Sequence, residues 1–73
     1  MYHVTVSDNR RIIAGALREG LADAVAYGRK KGQKGNRITV FDSLQDATGG
    51  IVHLSKVLSM ILHDEDHKEY LKS

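Results

Sequence analysis

The apolar residues of this chain change their spacing after the first few positions, and that change limits the folds open to it. Tyr2-His3-Val4-Thr5-Val6 alternates strictly and is rich in β-branched residues, the pattern of a strand with one buried face. Tyr2, Val4 and Val6 share one side, His3 and Thr5 the other. From Ile13 the apolar positions recur every three or four residues, at Ile13, Leu17, Leu21 and Ala24. Ala16, Gly20 and Tyr27 fall on the same side, as on one face of an amphipathic helix. Ser7-Asp8-Asn9 lies between the two patterns and supplies side-chain acceptors of the kind that cap helices.

These signals predict a helix over about residues 9–31, ending at Gly28 or Gly32. Its small residues Ala16, Gly20 and Ala24 would let it lie close to a sheet. The alternation returns over Arg37–Phe41, with Ile38 and Val40 on one side and Thr39 and Phe41 on the other. Strand, helix and strand make a β-α-β unit, whose strands run parallel through a right-handed crossover if they are neighbours.

The second half reads two ways. Asp42 and Ser43 can cap a short turn through Ala47 that Thr48-Gly49-Gly50 breaks, or the whole stretch is a long hairpin loop. Ile51-Val52-His53-Leu54 fits a third strand, yet Ile51, Leu54, Leu58 and Ile61 also follow helical spacing. Two strands alone make a marginal sheet. We therefore read 51–54 as strand and about 55–63 as helix, with Asp64-Glu65-Asp66 ending it or continuing into a polar tail through Tyr70 and Leu71. The expected fold is α+β, a single small domain over 1–73 in the order β-α-β-β-α. Two helices would cover one face of a two- to three-stranded sheet. The other face would carry His3, Thr5, Thr39 and Phe41, with His53 or its neighbours, and an uncovered face bearing a phenylalanine suits a second copy or a ligand.

A chain of 73 residues buries only about 60% of its unfolded surface and is marginally stable alone, and without cysteine it has neither disulfides nor thiolate metal ligands. Its stability must come from an efficient core or from self-association. A hydrophobic content of 41% argues against disorder. The apolar runs are too short for a membrane span, and Arg10, Arg11 and Arg18 interrupt any leader-like stretch. The chain thus reads as a complete small cytoplasmic protein with no membrane partner.

Charge is unevenly placed. Residues 1–37 hold eight basic and three acidic groups, residues 38–73 three basic and six acidic. Gly28–Arg37 concentrates five positive charges and three glycines with no acid. On the predicted helix Arg11, Arg18 and Arg29 fall within a narrow arc that runs on into this loop. Arg11, Arg18, Arg29, Lys30, Lys31, Lys34 and Arg37 would therefore offer phosphate contacts. The acidic second half opposes a long nucleic acid, and no base-reading motif is present.

Chemistry-bearing motifs are few. His63 and His67 stand four apart, as on a metal-binding helix, but Asp64 occupies the place of the glutamate that follows the first histidine in zinc-protease helices. Asp42 and Asp46 lie among turn formers without the glycine and terminal glutamate of a calcium loop. Gly49-Gly50 lacks the following Lys-Ser/Thr of a phosphate loop. The sequence therefore predicts no catalysis, no cofactor and no metal. It predicts a homodimeric protein-interaction module, a regulator, adaptor or inhibitor, docking through Phe41 and the open face. The alternative is a nucleic-acid-associated protein using the basic positions 11–37. A minor one is a binder of a small anionic ligand or nucleotide at a dimer interface.

Overall fold

A computed structural model describes residues 1–63. Along the chain it has β1 (Tyr2–Ser7), β2 (Ile12–Arg18), α1 (Leu21–Lys31), β3 (Arg37–Gln45) and β4 (Ile51–Ile61). The strands form one sheet in the order β2-β1-β3-β4, every neighbouring pair antiparallel. This is an α+β arrangement with one helix among the described residues, so the two helices and the β-α-β-β-α order expected from the sequence are corrected. Among the described residues no helix is long and apolar enough to cross a membrane.

The first correction lies at residues 9–20. Asp8 caps a hairpin turn, not a helix: its Oδ1 accepts from the backbone N–H of Arg10 at 3.0 Å and of Arg11 at 3.1 Å, and its own N–H donates to the Arg11 carbonyl. The same short acceptor serves either purpose. Residues 12–18 then return along β1, from Val6 opposite Ala14 to Tyr2 opposite Arg18. This extra reversal makes β1 and β3 antiparallel, where a direct helical crossover would have made them parallel.

The second correction is β4, which stays extended through Ile61. Leu58 opposes Val40 while Lys56 opposes Phe41, leaving Val57 as an extra residue. Ser55 opposes Asp42 while His53 opposes Ser43, leaving Leu54 extra. Each such bulge turns an even side-chain spacing into an odd one. Ile51, Leu54, Leu58 and Ile61 have helical spacing in the sequence but share no face: Leu58 opposes Val40 on the core side, Ile61 Arg37 on the other.

α1 covers one face. Val4, Val6, Ile38, Val40 and Leu62 have no exposed surface, and Ala24 and Val25 of α1 are buried with them. The helix can sit this close because Gly28 has no side chain: a Cβ there would lie 2.8 Å from two carbons of Ile38. Gly32 ends the helix, and a Cβ there would run into Leu62 Cδ1. Leu62 is fixed in turn by its N–H to the Asn36 carbonyl at 2.8 Å and its carbonyl from the Gly35 N–H at 3.0 Å. On the outer side Tyr27 donates its hydroxyl to the Gly15 carbonyl at 3.1 Å, with the Arg18 guanidinium 4.9 Å above its ring.

Candidate functional site

The face of the sheet opposite α1 gathers three rings. His3 on β1 opposes Phe41 on β3, so both project to the side away from Val4 and Val40. His53 on β4 stacks on Phe41 with centroids 4.0 Å apart and planes 4° from parallel. His3 Nδ1 lies 2.9 Å from His53 Nε2, a hydrogen bond in which one nitrogen holds the proton and the other accepts it.

The Leu54 bulge puts His53 there. With Ser55 opposite Asp42, an unbroken ladder would set Leu54 opposite Ser43 and His53 opposite Leu44, on the other face. The extra residue brings His53 opposite Ser43 instead, on the side of Phe41 and His3. Burial holds the His3 imidazole below the ordinary histidine range, and repulsion from a charged His53 lowers it further.

Around the rings the face is mixed. Thr5 is buried and Thr39 half-buried, and Lys56 stands opposite Phe41. Arg37 donates from Nη1 to Ser59 Oγ at 2.6 Å at one margin. His3, Thr5, Thr39 and Phe41 share this face as expected, and where the sequence left open His53 or its neighbours, the register brings His53.

The basic positions do not make the single stripe expected of them. Arg11 belongs to the β1–β2 turn and Arg18 to the far end of β2, about 20 Å apart at strand rise. Arg29 turns inward, with Nη2 3.9 Å from Met60 Sδ. Arg37 lies on the ring face and Lys34 in the loop after α1. Arg18, Lys30 and Lys31 do come together, around a shallow depression that Asp23, Ala26 and Tyr27 complete.

Among the described residues no three histidine, aspartate or glutamate side chains gather as a metal cluster. The sequence pair His63 and His67 falls partly outside the described residues, as do Asp64–Asp66, Tyr70 and Leu71. Asp46 is a turn former: its Oδ1 accepts from Thr48 N at 2.9 Å, Thr48 Oγ1 at 2.7 Å and Gly50 N at 2.9 Å. Sequence reasoning did not find the His3–His53 contact, because the residues stand fifty positions apart and two bulges decide the register between them. Comparison of the chain with known protein families, with curated proteins and with solved structures found no match.

Proposed function

We propose that this chain is a protein-interaction module that pairs with a second copy of itself through the sheet face bearing His3, Phe41 and His53. The observation that carries the reading is the stacked Phe41–His53 pair on a face that no described helix or strand covers. Aromatic groups held rigid at the centre of a surface are the usual anchors of association. The molecule is flat, 39 × 30 × 16 Å, so its broad faces are large enough for the roughly 800 Å² per partner of a standard interface. A two-fold pairing would use the same patch on both copies.

Sedimentation equilibrium of the wild-type chain and of Phe41→Asp tests this. The wild type should be dimeric and the variant monomeric with an unchanged circular dichroism spectrum. A monomeric wild type at tens of micromolar (about the Kd of a weak specific dimer) would sink the reading.

One observation favours a second reading. Arg18, Lys30 and Lys31 line one shallow depression with Asp23, Ala26 and Tyr27, and the Arg18 guanidinium lies over the Tyr27 ring; three cations so grouped can take a phosphate or a nucleic-acid backbone. Fluorescence anisotropy with short oligonucleotides across a salt series distinguishes it. Steep salt-dependent binding, weakened by neutralising Lys30, Lys31 and Lys34, would put this reading first.

A further inference from the structure

We propose that His3 and His53 form a two-nitrogen chelate for a late first-row divalent ion such as Zn²⁺, with water in the remaining positions. Imidazole nitrogen suits these ions. Two nitrogens each about 2.0–2.1 Å from one ion lie about 2.9 Å apart at a right angle and about 3.3 Å at the tetrahedral angle. His3 Nδ1 and His53 Nε2 already stand 2.9 Å apart. The spacing is therefore already that of a chelate, with the ion to one side of the N···N line and each lone pair turned about 35–45° from that line toward it.

The two rings already lie side by side before any ion arrives. Phe41 is stacked flat on His53, and β4 is bulged at Leu54 so that this ring lies beside His3. Bulges recur where a strand has to re-aim a side chain toward a site, and orientation of a ligand ring by its surroundings strengthens binding. The proton balance is simple. Without metal, one of the two facing nitrogens carries a proton and donates it to the other. With metal, each neutral ring keeps its single proton on its outer nitrogen, Nε2 of His3 and Nδ1 of His53, so both inner lone pairs face the ion. This is a shift of tautomer and releases no net proton.

The register places the cationic side chains Lys56, opposite Phe41, and Arg37, tied to Ser59 at the margin, on this face. Neither forms part of the facing nitrogen pair. Open water positions distinguish this site from a closed structural zinc site. The chelate belongs to the single chain: a second copy on this face would take the place of the coordinated waters, so metal binding and pairing would compete for it.

The test is a Zn²⁺ titration of the full chain, followed by calorimetry and by long-range proton–nitrogen NMR of the histidine rings. Saturable binding should move His3 Nδ1 and His53 Nε2, leave the rings of the other histidines unmoved, and weaken by about tenfold or more in either His3→Ala or His53→Ala. The His63→Ala variant should bind as the wild type does. Because the ring resonances are read in the wild-type chain, the result does not depend on the variants folding. Absence of saturable binding would overturn the proposal. So would ring shifts confined to other histidines, or affinity that survives the loss of His53.

Discussion

Ile38 is the residue on which helix and sheet depend together. It is fully buried on β3, opposite Val6, and lies directly under Gly28 of α1. Truncating a buried isoleucine to alanine costs about 2–5 kcal/mol. A domain of this length has roughly 4–11 kcal/mol in all, at the usual stability per residue. Ile38→Ala should therefore remove a large part of the total, and urea denaturation should show a midpoint lowered at unchanged slope. The facing position is sensitive to addition. Gly28→Ala gains about 1 kcal/mol of helix propensity, but its Cβ would meet Ile38 at 2.8 Å, and overpacking costs about 1–3 kcal/mol. The net effect should be destabilising. Ile38→Val removes the Cδ1 atom at that contact, so the double variant should cost less than the two changes added together. A strictly additive double variant would show that the two residues do not press on each other.

At the scale of elements, one carboxylate adds three hydrogen bonds to the backbone bonds of the turn between β3 and β4. Asp46 Oδ1 accepts three hydrogen bonds from Thr48 and Gly50, and these hold its acid strength above that of an ordinary aspartate. The folded pKa thus lies below the unfolded value of about 3.9. Such a group adds stability that is complete above the unfolded value and disappears as pH falls through the folded one. The amide resonances of Thr48 and Gly50 should titrate below pH 3.8, and their hydrogen-exchange protection should fall over the same range. Titration at or above that value would mean that the turn does not favour the charged form.

The elements also show which parts of the fold the sequence could reveal. β1 and the start of β3 were legible because unbroken alternation has one interpretation, and it placed His3, Thr5, Thr39 and Phe41 on a common face. β2 was not legible. Its Ile12-Ile13-Ala14-Gly15-Ala16 core is small and lies between capping residues and a true helix, so Ile13, Leu17, Leu21 and Ala24 line up across two elements. The expected strand over 51–54 is the start of β4, but the bulges at Leu54 and Val57 hide its continuation through Ile61. An expectation that treats position parity as fixed along a strand fails wherever Val57 or Leu54 intervenes, and the same two residues decide where His53 points. The candidate site was therefore half legible: its members His3 and Phe41 follow from local alternation, whereas their partner depends on a register that only the folded sheet sets. The basic stripe failed for the same reason as β2, since Arg11 and Arg18 were counted on a helix that is a hairpin.

At the scale of the whole molecule, the described residues form a sheet with one side covered by α1. The core lies between α1 and the sheet, while on the other side Phe41 stacks on His53 with His3 beside it. A two-layer arrangement this thin buries limited apolar area per residue, so a second copy on the open side would add stability as well as function. Folding and pairing would then be linked by mass action, because a partner that binds only the folded chain raises its melting temperature as concentration rises. The Tm of the wild-type chain should increase measurably between micromolar and hundreds of micromolar protein, a range of about a hundredfold, equivalent to about 2.7 kcal/mol for a site that is saturated throughout. Phe41→Asp should abolish the dependence on concentration. Its Tm should match that of the wild type at high dilution, because Phe41 is only half-buried in the single chain. If the variant instead melts well below the dilute wild type, Phe41 holds the monomer together. Its stacking on His53 would then be a structural contact within one chain, and the interaction face would have to be sought on the side of Arg18, Lys30 and Lys31.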